Sequence, residues 1–215
     1  MLELKNITLR WNSPVQKTLI ENLYTKIENG NILCVFGVSG VGKSSLINVI
    51  SGVHEENLSY EGEIILNGKK LNNIPTEKRK IGLLLQDGTL FPHLTVEQNI
   101  LFGMNKKLKR RDKDNLIIKY LQKANMKGFQ DRYPNSLSGG QKARVACLRA
   151  ILSEPDALLL DEPFSSLDPE QRESFREFVA KHVKEANIPC LLVTHDENDK
   201  IISDKEPLNL NLFQK

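Results

Sequence analysis

Three short stretches of the chain are apolar without interruption: Ile32-Leu33-Cys34-Val35-Phe36, Ala157-Leu158-Leu159-Leu160 and Cys190-Leu191-Leu192-Val193. Runs of this length with no polar alternation suit strands covered on both faces, as in a parallel sheet flanked by helices. Ligands of such sheets collect at the carboxyl ends of the strands. Here those ends carry Gly37, Asp161 with Glu162, and Thr194 with His195. The opening of the chain differs. Leu2 to Trp11 alternates between apolar and polar residues, and Glu63 to Leu71 holds Asn67-Gly68 between two strand-like runs, a hairpin signal. An antiparallel sheet beside the parallel one is therefore expected. From about Thr95 to Glu154 the apolar spacing becomes helical, most clearly over Asn115 to Ala124. The pattern predicts one α/β domain over residues 1–215. Its core takes residues 1–86, including the antiparallel part, together with 154–215, and residues 87–153 form an inserted helical subdomain.

Composition changes this picture little. A chain of 215 residues can bury one sizeable core, and 40% hydrophobic with 27% charged residues is ordinary for a globular protein. The formal charge of +3 is too small to imply nucleic acid by itself. No apolar run approaches the roughly 18–20 residues of a membrane helix, and the N-terminus lacks a signal-peptide core, so any service to a membrane is expected to come by docking. Cys34, Cys147 and Cys190 have neither metal-ligand nor CxxC spacing and read as buried apolar side chains in a reducing compartment, the cytoplasm. His54, His93 and His182 have no context suggesting chemistry and are expected to face solvent.

The chemistry-bearing motifs lie at the strand ends. Gly37-Val38-Ser39-Gly40-Val41-Gly42-Lys43-Ser44 follows the first apolar strand and precedes a helix expected from about Lys43 to Ser51. Its glycines permit tight turns with amides aimed inward, and the helix N-terminus faces the same anion. Lys43 would reach the terminal phosphates and the Ser44 hydroxyl would ligate Mg²⁺. Asp161 and Glu162 cap a buried strand, where successive side chains face opposite ways, so one can serve a metal shell and its neighbour the attacking water. Leu137-Ser138-Gly139-Gly140-Gln141 opens another helix and makes a second anion-binding surface from a hydroxyl, glycine amides and a helix end.

In this order, the phosphate loop, Leu137-Ser138-Gly139-Gly140-Gln141 and Leu158-Leu159-Leu160-Asp161-Glu162-Pro163 resemble the ATP-binding cassette family. The resemblance runs from the Trp11 strand to His195-Asp196 and implies a P-loop NTPase core that binds ATP and Mg²⁺. It makes Gly37, Ser39, Gly40, Gly42, Lys43, Ser44 and Ser45 nucleotide contacts, Asp161 the metal-side acid and Glu162 the general base. Gln86 is similar to the family's hinge glutamine, which touches metal and water. His195 is similar to the switch histidine at the γ-phosphate, and Trp11 to the aromatic residue stacked on adenine.

The same resemblance implies shared sites. Ser138, Gly139, Gly140 and Gln141 of each cassette would complete the pocket of a second cassette, with Asp168 in the loop touching that partner, and a homodimer is expected. Gln86 to Ile100 looks like bacterial solute importers for thiamine, molybdate, iron, spermidine or sugars. This implies integral membrane permease subunits, a solute-binding protein in the full system, and a peripheral place on the cytoplasmic face of the membrane. Phe91, Leu94, Val96 and Ile100 either line the permease groove or belong to the helical core. Two departures stand out: Leu85 occupies a place where an aromatic residue is frequent, and the chain ends soon after His195, which suggests truncated terminal strands. The alternatives are an exporter or lipoprotein-release ATPase, and a soluble cassette ATPase of translation or DNA repair. The basic run Lys106 to Lys113 tempts toward nucleic acid, but Asp112 and Asp114 interrupt it, so a solvated face is expected and no nucleic-acid partner.

Overall fold

The structure, a computed structural model, describes residues 1–14, 16–85, 90–104 and 108–214. Nine strands and five α-helices occur among them, with short 3-10 turns between. β1 (Leu2–Trp11), β2 (Lys17–Ile27), β4 (Leu58–Leu66) and β5 (Lys69–Lys70) form an antiparallel sheet in the order β2-β1-β4-β5. β3 (Ile32–Phe36), β6 (Ile81–Leu84), β7 (Ala157–Asp161), β8 (Cys190–Thr194) and β9 (Leu208–Asn209) form a parallel sheet in the order β6-β7-β8-β3-β9. The segment after His195 thus still supplies an edge strand, β9, which pairs with β3 through Val35 and Phe36.

The uninterrupted apolar runs are explained by two hydrophobic clusters, one on each face of the parallel sheet. Ile32, Cys34, Leu158, Leu160, Cys190 and Leu192 face the first cluster, together with α2 (Val96–Gly103), α3 (Arg110–Lys123), α4 (Gly139–Ile151) and α5 (Pro169–Ala186). Leu33, Val35, Ala157, Leu159, Leu191 and Val193 face the second, with the antiparallel sheet and α1 (Lys43–Ser51). The period of two is present after all, but both faces bury apolar side chains, so hydropathy cannot display it. The three cysteines are buried here, and burial pushes the Cys34 and Cys147 thiols up to about 12.

β1 departs from the alternation expected of it. Leu2, Glu3 and Leu4 are all buried, and the register shifts between Lys5 and Thr8, beside Asn6 at φ 52°. β1 lies between β2 and β4 in its sheet, and Glu3 keeps its charge by pairing with Lys26 at 3.0 Å and Lys5 at 3.5 Å. Those partners hold its carboxyl below the ordinary range, the Lys26 hydrogen bond most of all.

One buried side chain fixes the far end of α1. Arg79 donates from Nη1 to the carbonyls of Val49 and Ile50, at 2.9 and 2.8 Å, and from Nε to Ile74 at 2.7 Å. The last carbonyls of a helix lack intrahelical donors, and a guanidinium there answers both the hydrogen bonds and the negative dipole end. Arg79→Ala leaves buried acceptors unanswered and is expected to cost about 2–3 kcal/mol of stability. The midpoint of chemical denaturation measures this, and an unshifted midpoint removes the capping role.

Candidate functional site

Parallel pairing brings the ends of β3, β7 and β8 to one edge, nearly level. Asp161 stands opposite Val193, and Thr194 opposite Phe36. From this edge the chain leaves β3 through residues 37–42 and enters α1. Gly42 sits at φ 105°, where a side chain is strained, and a Cβ there would lie 3.2 Å from that of Leu19. No side chain caps the start of α1, and its first turn holds no acid. The amides at this end are therefore left for an external anion. Lys43 is buried, with its ammonium donating to the carbonyls of Gly37 at 2.8 Å and Val38 at 3.1 Å. A cation held inside its own loop in this way awaits a stronger acceptor, such as a phosphate oxygen.

A cavity of about 380 Å³ opens over the loop. Ser39, Gly40, Gly42, Lys43, Ser44 and Ser45 form its floor, and Trp11, Leu19 and Glu162 its walls. Gly37 lies just beneath, where an added Cβ would meet Val41 at 2.9 Å. The half-buried indole of Trp11 at the end of β1 supplies a flat apolar surface of the kind that stacks on a base.

Asp161 and Glu162 meet different surroundings. Asp161 is only 3% exposed, and its Oδ1 has no hydrogen-bond partner among the described residues. Burial, chiefly, raises its carboxyl above the ordinary value. The charge of Glu162 adds to this, while a hydrogen bond with Ser44 and the charge of Lys43 work against it. A buried carboxylate oxygen beside a hydroxyl suits a hard cation that also takes water and phosphate oxygens. Among the described residues no three His, Cys, Asp or Glu side chains cluster as a metal cage. The oxygen pair Ser44 and Asp161 thus fits a metal that keeps most of its shell from substrate and solvent.

Glu162 adopts φ 49°, left-handed for a residue with a side chain, at a typical cost of about 1–3 kcal/mol. Its amide donates to the Val193 carbonyl at 2.9 Å, which anchors the bend. The bend takes Glu162 off the sheet and toward the cavity, where its Oε1 lies 2.8 Å from Nδ1 of His195. A carboxylate that lines the cavity and an imidazole from the adjacent strand end thus meet beside the phosphate loop.

Residues 138–141 form a capped helix start. Ser138 caps α4, accepting from the Gln141 amide at 3.2 Å, while its own amide donates to the Gln141 side chain at 3.0 Å. Gly140 is needed for close approach: a Cβ there would meet Leu167 Cδ2 at 2.6 Å and the Ser166 carbonyl at 3.0 Å. Gly139 also faces Ser166. None of residues 138–141 lines the phosphate cavity of their own chain. Asp168 is exposed and caps α5, accepting from the Gln171 amide at 3.0 Å. Gln86 lies outside the described residues.

Several residues were not legible from the pattern. Arg144 is buried in α4 and donates to the Ala124 carbonyl at 2.9 Å and the Gln171 side chain at 3.0 Å, tying the start of α4 to α5. The motif before it offered a signal of place but none of partner. His182, expected in solvent, is half-buried against Tyr120, with Nδ1 3.4 Å from the phenol oxygen, and burial lowers its pKa. α5 turns that face inward to pack on α3, which residue type alone does not reveal. Val96 and Ile100 belong to the core, whereas Leu90, Phe91, Phe102 and Arg149 line an open groove near β6. Arg110 in the basic run pairs with Asp114 at 2.8 Å and with Glu97. Lys106 and Lys107 lie outside the described residues.

Comparison with known proteins agrees with this geometry. A family profile described as "ABC transporter" matches residues 20–165. The uncharacterized ABC transporter ATP-binding protein YnjD of Escherichia coli K12 is 41% identical over 93% of this chain and 90% of its own length. The spermidine/putrescine import ATP-binding protein PotA of Mesoplasma florum is 36% identical over 95% of this chain, which spans only 57% of that protein's length. Among solved structures, the ATP-binding cassette MJ0796, in a dimeric post-hydrolysis state bound to ADP and Pi, superposes with a TM-score of 0.82 at 28% identity. That match covers 95% of this chain and 92% of the other.

Two outcomes are expected from the cavity. Trp11→Ala should weaken nucleotide binding severalfold, as loss of base stacking worth about 1–3 kcal/mol implies, while single-turnover cleavage stays nearly intact; unchanged affinity in a titration removes Trp11 from the site. For Asp161, the raised value means that the folded protein holds the proton more tightly than the unfolded chain. That contribution is full below the ordinary aspartate value of about 4 and is lost as pH rises through the raised one. Asp161→Asn should therefore raise the melting temperature of the nucleotide-free protein at neutral pH, with little change near pH 4, while abolishing hydrolysis. A lower melting temperature at neutral pH contradicts the buried-charge account.

Proposed function

We propose, from the premise that the chain belongs to the ABC transporter family and hydrolyses ATP, that two copies close face to face over two shared nucleotides to power solute import through separate membrane subunits. The observation that carries this reading is the division of the site. Lys43, Ser44 and Glu162 line one cavity, with Asp161 bonded to Ser44 and His195 to Glu162, while the capped helix start at Ser138-Gly139-Gly140-Gln141 does not line that cavity within its own chain. A second chain related by a two-fold axis supplies the missing surface to each pocket. The dimeric form of MJ0796 supports such pairing.

Each residue then has a role that follows from its chemistry. Trp11 stacks on the base, and the amides of the 37–44 loop with Lys43 neutralise the phosphates. Ser44 and Asp161, with Gln86, would hold Mg²⁺. When bound, Mg²⁺ supplies charge neutralisation to the β- and γ-phosphate oxygens. Glu162 takes the proton of the attacking water. His195 holds the carboxylate of Glu162 in orientation and faces the γ-phosphate. Ser138 and the glycine amides of the partner chain close over that phosphate, with Asp168 in the contacting loop. Phosphoryl transfer demands positioning and charge neutralisation more than covalent help, and these groups supply both.

Import is favoured by the likeness to PotA, itself an import ATP-binding protein by name. Among the described residues no helix is long and apolar enough to cross a membrane, which suits a subunit that docks at the cytoplasmic face. The groove of Leu90, Phe91, Phe102 and Arg149, with Phe102 70% exposed, offers an apolar seat for a membrane subunit's helix. A solute-binding protein completes such a system.

Glu162→Gln tests the shared-site reading. The amide keeps the shape but cannot take the proton, so hydrolysis should fall by about 10²–10⁴-fold, as for loss of a general base. The variant should also accumulate as a dimer with MgATP in size-exclusion chromatography. A variant that stays monomeric under conditions where the wild type turns over sinks the paired-site reading.

A further inference from the structure

His195 is more than half exposed, and its ring approaches Glu162 at 2.8 Å. A ring so little enclosed takes its position from its backbone, and α5 is one of the elements that tie down the loop following it. Asp196, the next residue, forms an ion pair with Arg172 of α5. The other Asp196 oxygen accepts from the Asn198 amide at 2.9 Å, and its own amide donates to the Thr194 hydroxyl at 3.0 Å. That hydroxyl donates in turn to the buried Asp199 at 3.0 Å. One turn further along α5, Arg176 reaches the Asn198 carbonyl and lies 3.9 Å from Asp199. Two guanidiniums thus clamp the loop that presents the histidine.

The same helix begins at the loop proposed to meet the partner chain. Arg172 sits in the first turn of α5, where its amide donates to the Asp168 carbonyl at 2.8 Å. Just before Asp168, Ser166 and Leu167 pack against Gly139 and Gly140 at the start of α4. A single residue therefore bonds the partner-facing loop through its backbone and the histidine loop through its side chain. Arg172 itself does not line the phosphate cavity.

We propose that Arg172 is a positioning residue that ties the loop of His195 to the first turn of α5, so that the histidine is held against Glu162 while the Ser166 to Asp168 loop is seated. The inference rests on the roles given above to His195 and Glu162. It makes cleavage, rather than nucleotide binding or pairing, depend on the Arg172–Asp196 contact.

The test is a double-mutant cycle on the full chain, with His195→Ala as reference. Asp196→Asn keeps the acceptor for the Asn198 amide and removes the charge, and Arg172→Ala removes the guanidinium. Arg172→Lys restores a cation and keeps the cycle informative if the alanine variant does not fold. Expected are a fall in kcat of about tenfold or more in each single variant, KM for ATP within about twofold, and a double variant no worse than the poorer single, as for residues acting through one contact. Arg172→Lys should recover most of kcat. Nucleotide affinity followed by Trp11 fluorescence, and MgATP-driven pairing in the Glu162→Gln background, should stay at wild-type levels in Arg172→Ala. A kcat within twofold of wild type, losses that multiply in the double variant, or pairing lost together with cleavage each overturn the proposal. Wild-type kcat in His195→Ala would instead overturn the reading of the site on which it rests.

Discussion

Parallel hydrogen bonding between β7, β8 and β3 forces three sequence-distant segments to end on one side of the sheet. The level register, with Asp161 opposite Val193 and Phe36 opposite Thr194, places those endings within side-chain reach of one another. Glu162 and His195 touch for this reason, and the phosphate loop rises beside them. The register survives because both sheet faces are buried: a slip of one residue would exchange every side chain between the two hydrophobic clusters. The core therefore holds the site in geometry as well as holding the fold together.

On this frame the chain concentrates charge at one strand edge. Asp161 is buried with an unanswered oxygen, Glu162 adds a second negative charge one residue away, and the start of α1 offers amides with no side-chain cap. Lys43 turns its ammonium onto carbonyls of its own loop. Asp161 Oδ1 and the first amides of α1 are the groups here that a hard cation and a phosphate would answer. Such a site is preorganised for the transferring phosphoryl group, at the expense of stability in the empty protein. By contrast, Arg79 at the other end of α1 answers the carbonyls of Val49, Ile50 and Ile74.

α5 joins the Ser166 to Asp168 loop to the loop that carries His195. Its cap, Asp168, belongs to the loop packed on the Ser138 helix, and its first two turns send Arg172 and Arg176 to the histidine loop. Arg144 joins α4 to α5 through Gln171. These contacts are charge-assisted and partly or wholly shielded from water, where geometry is held more firmly than by an exposed pair.

What the sequence determined by itself was local chemistry. The phosphate loop, the Asp161-Glu162 strand end, the Ser138 cap and the Asn67-Gly68 hairpin are contiguous, so spacing alone reveals which atoms can converge. The buried strands were legible because they read as unbroken apolar runs, although the same property hid which residue faced which cluster. The tertiary structure decided the rest: the order β6-β7-β8-β3-β9, the burial of Glu3, the place of His182, and the partners of Arg79, Arg144 and Arg172. In each of those cases at least one partner lies about twenty or more residues away along the chain. Periodicity carries no information about such pairs, because only the packing of whole elements brings a guanidinium to its carbonyl or carboxylate.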